Sequence, residues 1–217
     1  MSRHTIIALI RHGETPWHRE NRYCGRTDLP LTETGERQAA ELAGWAAATP
    51  ALSAVHSSTL TRAIRTAAPA ADAAGLPHLT DDRLVELDFG AAEGLTAEEM
   101  SRRWPRAREA FVADPVANPL PGGEDPWDAI ARGSAAVDDA ARAHVGGVVL
   151  VVCHSTLLRL VACHLTGADP AEYRRLYPKV GNTSGAILRR PVDAAAEAWE
   201  LLAFNPVLTR EGFGAAW

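Results

Sequence analysis

The sequence predicts an α/β protein built on a mostly parallel sheet, and three observations carry that prediction. Ile6-Ile7-Ala8-Leu9-Ile10 and Val148-Val149-Leu150-Val151-Val152 are uninterrupted apolar runs of strand length, the pattern of strands buried on both faces. Early in the chain, strand-like segments are followed by a loop and a helical pattern, which is the β-loop-α arrangement. Hydrophobic residues make up 47% of the 217, enough to fill a sizeable core, so one domain over 1–217 is expected.

The opening strand ends at Arg11-His12-Gly13. Thr15 and Pro16 then read as cap and first residue of a short helical turn, followed by an aperiodic surface loop, Arg22 to Pro30, with two arginines. Ala39, Leu42, Ala43 and Ala46 give a helix from Thr34 to about Ala48, stopped by Pro50. Leu52 to His56 is the second strand, and Ser57-Ser58 caps a helix over 59–74 that Gly75 and Pro77 end. Leu79 to Leu87 mixes a short strand with loop and runs into Glu86-Leu87-Asp88-Phe89-Gly90-Ala91-Ala92-Glu93-Gly94, too rich in glycine and carboxylates for a core segment. Helical patches from Ala97 lead to a proline-rich loop, Asp114 to Pro126, then to a long alanine-rich helix over 127–144. After the Val148 strand comes Cys153-His154-Ser155, a helix over 156–165, a shorter one over 170–176, and two final edge strands at 184–188 and 199–203. The last ten residues carry little pattern and are expected to fray.

Charge limits the partners. Charged residues are 23% of the chain and the net charge is −5, which gives no footprint for nucleic acid or an anionic membrane. No apolar stretch nears the roughly 20 residues that span a bilayer, and the first residues do not read as a signal peptide. Cys24, Cys153 and Cys163 form no CxxC pair and read as core fillers in a reducing, cytoplasmic setting. His4, His56, His78, His144 and His164 lack ligand spacing, so neither metal nor cofactor is expected.

The two most strand-like runs both deliver a histidine at the carboxyl end, where open parallel sheets bind ligands. As neighbours they would turn His12 and His154 toward one crevice. Arg11 arrives with the first, and Arg62 comes from the start of the 59–74 helix, whose N-terminus also favours an anion. Such a pocket suits a compact dianion, best a phosphoryl group. Imidazole is nucleophilic at neutral pH, guanidinium forks can neutralise phosphoryl oxygens, and Glu86, among other carboxylates whose proximity can raise a carboxyl pKa, is the candidate acid. Arg65, three residues past Arg62, reads as a surface or ion-pairing residue. Ser155 lacks a G-x-S-x-G elbow, which argues against a serine hydrolase.

Taken in order, Arg11-His12-Gly13-Glu14-Thr15, Gly25-xx-Asp28-Leu29-Pro30-Leu31-Thr32, Ser58-xxx-Arg62-Ala63, Glu86-Leu87-Asp88-Phe89-Gly90-xx-Glu93-Gly94, Pro121-Gly122-Gly123-Glu124 and His154 closely resemble the histidine phosphatase superfamily, in its phosphoglycerate mutase-like branch. The resemblance runs from about residue 5 to residue 190. It implies a three-layer α/β/α sandwich, no metal, and His12 as the phosphorylated nucleophile. It also implies that Arg11, Arg62 and His154 hold the phosphoryl group and that Glu86 donates a proton. Thr15, His18, Gly25 and Ser155 join Arg11 and Arg62 as expected substrate contacts.

Four positions depart from the family pattern: His18 replaces an asparagine, with an imidazole still able to donate a hydrogen bond; Cys24 replaces a glutamine, Ala92 a tryptophan, and Ser155 a glycine. The Tyr23-x-Gly25-x-Thr27-Asp28 pattern looks closer to α-ribazole phosphatases than to mutases. No long insertion separates Glu86 from His154, as a mutase covering its intermediate would need. The expected function is therefore a metal-independent phosphomonoesterase acting on a small metabolite such as a sugar phosphate, nucleoside phosphate or α-ribazole phosphate. A cofactor-dependent phosphoglycerate mutase is the alternative, an inactive phosphate-ester-binding protein ranks below it, and a homodimer is left open. The residues covering the substrate are expected in 16–30, 90–125 and 180–185.

Overall fold

The computed structural model describes residues 4–191 and 199–209. Six strands form one sheet: β1 (Thr5–Arg11), β2 (Leu52–Ser57), β3 (His78–Thr80), β4 (Val148–Cys153), β5 (Gly185–Arg190) and β6 (Glu200–Phe204), in the order β3-β2-β4-β1-β5-β6. The first four run parallel, and β5 is antiparallel to both β1 and β6. The helices are α1 (Glu33–Ala47), α2 (Thr61–Ala74), α3 (Ala97–Arg103), α4 (Pro105–Ala113), α5 (Pro126–Ala143), α6 (Ser155–Leu165) and α7 (Tyr173–Leu176).

The two apolar runs are uninterrupted because each face of the sheet meets a helical layer. Ile6, Ala8 and Ile10 of β1 and Val148, Leu150 and Val152 of β4 pack with α1 and α2. The alternate residues Ile7, Leu9, Val149, Val151 and Cys153 pack with α5 and α6 on the other face. This is a three-layer sandwich. Alanines 63, 67, 70 and 71 are the buried stripe of α2, small enough to let it lie close to α1 and the sheet.

Three expectations change. β5 is internal, paired with β1 on one side and β6 on the other, so only β6 of the last two strands is an edge. Ser57 and Ser58 do not cap α2. The Thr61 amide and hydroxyl both donate to Asp28, at 2.8 and 2.5 Å, so an acidic side chain from the preceding loop occupies the helix start that was expected to favour a bound anion. Within the last ten residues, Leu208 is buried on the α1–α2 face, and 210–217 lie outside the described residues. No helix among the described residues is long and apolar enough to cross a membrane.

Candidate active site

The register of the central strands builds the site. Arg11 pairs with Cys153, so β1 and β4 end level, and the His12 amide donates to the Cys153 carbonyl at 3.0 Å. His12 and His154 therefore leave the sheet side by side, with ring centroids 5.1 Å apart. Gly13 is required by close packing: a Cβ there would sit 2.8 Å from the Gly35 carbonyl at the start of α1. Its amide donates to Thr66 Oγ1 at 2.9 Å, which ties the strand end to α2.

Arg62 lies between the two imidazoles and is fully buried. Its Nε donates to His12 Nε2 and His154 Nδ1, both at 3.2 Å, while Nη1 and Nη2 donate to the Thr27 and Gly25 carbonyls at 2.8 and 2.7 Å. No carboxylate pairs with it among the described residues, and a buried cation without a counter-charge suits an incoming anion. These bonds also fix the tautomers. His12 Nδ1 lies 2.7 Å from the Gly13 carbonyl, which can only accept, so the ring proton sits on Nδ1 and the Nε2 lone pair faces Arg62. His154 accepts at Nδ1, which leaves its N–H on Nε2. Burial first, then Arg62 beside them, holds both imidazoles well below the usual range. His12 thus presents an unprotonated Nε2 at physiological pH.

His154 Nε2 and Arg11 Nε are buried and have no hydrogen-bond partner among the described residues. Both are donors, and with Arg62 they demand a ligand rich in acceptors. Arg11 Nη1 donates to the Val180 carbonyl at 2.9 Å and Nη2 to His18 Nε2 at 2.5 Å. Burial lowers its guanidinium to about 10, which still leaves it charged at neutral pH. His18 lies in the pocket but differs from expectation in what it does. Arginine cannot accept, so His18 Nε2 is the acceptor for Arg11, while Nδ1 lies against the Thr15 amide, hydroxyl and carbonyl at 3.0, 2.9 and 3.1 Å. His18 therefore orients Arg11, with Thr15 behind it. Burial and the Arg11 charge hold its imidazole at about 4.

Glu86 is also placed differently. Its carboxylate accepts from the Thr156 and Leu157 amides at 2.9 and 2.8 Å, so it occupies the start of α6. The carboxylates expected to crowd it are engaged elsewhere: Asp88 accepts from the Gly90 amide, and Glu93 from the Arg26 and Thr27 amides. Arg132 of α5 grips the backbone of the Glu86 segment. Its Nη1 donates to the Arg83 and Val85 carbonyls and its Nη2 to the Glu86 carbonyl, while Glu124 of the Pro-Gly-Gly-Glu turn pairs with the same guanidinium.

A cavity of about 220 Å³ opens above these groups, walled by Arg11, His12, Thr15, His18, Glu86 and Ser155 together with residues that the sequence did not single out. Among the latter are Arg159 of α6 and Tyr173 and Arg174 of α7, while Tyr23 comes from the expected 16–30 stretch. Neither the expected 90–125 segment nor 180–185 contributes a wall residue; Phe111 of α4 packs behind Tyr23 instead. Gly25 does not line the cavity. Its place is tight, since a Cβ would fall 2.5 Å from the Leu87 carbonyl, and its own carbonyl holds Arg62. Cys24 does line it, with its thiol pushed up to about 11 by burial. Asn182, within the expected 180–185 stretch, positions the nucleophile strand end rather than covering the cavity: its Nδ2 donates to the His12 carbonyl at 3.0 Å. The following Thr183 has φ 49°, a left-handed conformation uncommon for a β-branched residue, and its amide donates to the Arg11 carbonyl. Expected surface pairing holds for Arg65, which bonds Glu36 at 2.7 Å. Among the described residues no cluster of His, Cys, Asp or Glu is grouped to hold a metal ion.

The profile of the Histidine phosphatase superfamily (branch 1) matches residues 7–205. A bifunctional protein of Mycobacterium tuberculosis is 40% identical over 180 residues, 83% of this chain and 49% of that protein. The chain thus spans about half the length of such relatives. Phosphoserine phosphatase 1 of Hydrogenobacter thermophilus is 30% identical over 167 residues, covering 77% of this chain and 79% of its own. Among solved structures, a mycobacterial glucosyl-3-phosphoglycerate phosphatase complexed with VO3 superposes with a TM-score of 0.84 at 28% identity, covering 95% of this chain and 100% of that one.

Proposed function

The chain belongs to the histidine phosphatase superfamily, and from that premise we propose that it is a phosphomonoesterase working through a phosphohistidine at His12. The observation that carries the reading is the fixed tautomer of His12, which aims an unprotonated Nε2 at a buried guanidinium that has no carboxylate partner among the described residues. In the first step the Nε2 lone pair forms a bond to phosphorus as the ester P–O bond breaks. The departing alkoxide takes a proton from the Glu86 carboxyl group. Arg62, Arg11 and the N–H of His154 Nε2 neutralise the phosphoryl oxygens, whose charge is spread in the transition state. In the second step Glu86, now a carboxylate, takes a proton from water as its oxygen attacks phosphorus. The P–N bond breaks, its electrons return to Nε2, and inorganic phosphate leaves.

Water as the acceptor is supported by the cavity wall, which takes no residue from 90–154. Relatives named for phosphoserine and glucosyl-3-phosphoglycerate support a small metabolite ester as substrate. Release of phosphate from p-nitrophenyl phosphate in EDTA tests the reading: the enzyme should turn over and His12→Ala should not. Conversion of 3- to 2-phosphoglycerate, stimulated by 2,3-bisphosphoglycerate and faster than phosphate release, would establish a mutase instead.

A further inference from the structure

The cavity carries more positive charge than one phosphoryl group uses. Four arginines and a single carboxylate, Glu86, are in its wall, with Arg62 beneath. Arg11 and Arg62 serve the floor. Arg22 is neutralised at the edge by Glu20 and Glu99. Arg159 and Arg174 remain, and neither has a carboxylate partner among the described residues. Arg159 donates Nε to the Ser155 carbonyl at 3.0 Å and Nη1 to the Tyr177 carbonyl at 3.3 Å. Arg174 donates Nε to the Tyr173 hydroxyl at 3.0 Å and Nη1 to the Phe111 carbonyl at 3.2 Å. Nη2 of each is left without a protein acceptor among the described residues.

Both guanidiniums are held in place by rings. Arg159 lies 4.7 Å from the centre of Tyr173, and Arg174 lies 4.5 Å from Phe111 and 5.4 Å from the same Tyr173. They thus flank one aromatic ring on one wall of a small cavity, each repelling the other. Burial lowers the Arg159 guanidinium and the Arg174 charge adds to that, with Tyr173 and Glu86 offsetting only part of it. Two like charges held together on rigid supports are costly unless an anion completes them.

We propose that Arg159 and Arg174 bind a carboxylate carried by the substrate itself, so that the substrate class is a small phosphomonoester with a carboxylate at its far end. The proposal rests on the phosphatase reading above and adds what that reading leaves open. Each guanidinium offers one free nitrogen, which matches the two oxygens of a planar carboxylate.

Matched substrates test it: phosphoserine against phosphoethanolamine, and 3-phosphoglycerate against glycerol 3-phosphate, each pair differing in the carboxylate. The expected preference in kcat/KM for the carboxylate member is roughly 10- to 100-fold, the worth of charge-assisted hydrogen bonds in a partly buried site. Arg159→Gln and Arg174→Gln should each shrink that ratio by about tenfold. The ratio is insensitive to how much of a variant is folded. A wild-type ratio near one, in enzyme that hydrolyses p-nitrophenyl phosphate, would overturn the carboxylate site and leave the phosphatase reading standing. So would a preference confined to fructose 1,6-bisphosphate over fructose 6-phosphate, which would assign the arginines to a second phosphate. Failure to hydrolyse any ester, the aryl one included, would overturn both.

Discussion

Replacing Arg62 with lysine keeps the buried charge and removes the fork. In the native site the guanidinium reaches two carbonyls on one side and two imidazole nitrogens on the other, at 2.7 to 3.2 Å. One ammonium nitrogen cannot span both. If it stays with Gly25 and Thr27, the side facing His12, which would meet the phosphoryl oxygens, loses its donor. Losing preorganised, charged donors at that point costs about 3–4 kcal/mol in the transition state, or roughly 10²–10³ in kcat/KM. Arg62→Gln removes the charge as well and has a second signature. After burial, Arg62 is the largest influence holding the His12 imidazole down. In the proposed mechanism the reactive form of His12 is neutral, so activity falls as pH drops through its pKa. Removing the cation raises that pKa, and the acid limb of kcat/KM moves to higher pH in Arg62→Gln while staying near its native position in Arg62→Lys. Steady-state pH profiles with p-nitrophenyl phosphate measure both. Arg62→Lys within threefold of wild type, or an unmoved acid limb in Arg62→Gln, would refute the assignment of Arg62 as the cation between the two histidines.

Two further predictions concern stability and positioning. His12 and His154 are buried with pKa values well below the usual 6.5, so below that pH the unfolded chain binds more protons than the native one; stability is present above pH 6.5 and falls on acidification, with a slope reaching ~1.4 kcal/mol per pH unit for each histidine. Chemical denaturation from pH 7.5 to 5 should show this slope reduced in His154→Asn, and an equal slope in the variant would contradict it. Arg132→Met frees the backbone of the Glu86 segment and should lower kcat by roughly tenfold or more through misplacement of the proton donor, with KM little changed, whereas an aryl ester whose leaving group needs no proton should be hardly affected. A uniform loss on both kinds of ester would mark Arg132 as merely structural.

The parts of the molecule that were legible in the sequence are those where one residue's environment is set by its own strand. β1 and β4 show as unbroken apolar runs because both faces are covered, and their shared register then brings His12 and His154 together. What escaped depends on partners distant in sequence. The start of α2 is capped by Asp28, on a loop that no local pattern assigns to it, so the adjacent serines took that role in the sequence. β5 looked like an edge because its four apolar residues say nothing of which strands flank it. Glu86 sat among carboxylates in sequence but among the amides of α6 in space, 70 residues on. His18 offered a donor on paper, but Arg11 makes it an acceptor. Arg159, Arg174 and Arg132 look like any helical surface arginine, and only the fold turns them inward to Tyr173 and to the Glu86 backbone.

The central claim is that His12 takes the phosphoryl group on a specific nitrogen. Rapid acid-free quenching with a 32P-labelled monoester, followed by peptide mapping and 31P NMR of the labelled enzyme, measures it directly. Because Nδ1 is committed to the Gly13 carbonyl, the label should appear on Nε2 of His12, be lost in acid, and be absent from His12→Ala. Label on His154, on Nδ1 of His12, or on no residue at all during turnover would contradict the account.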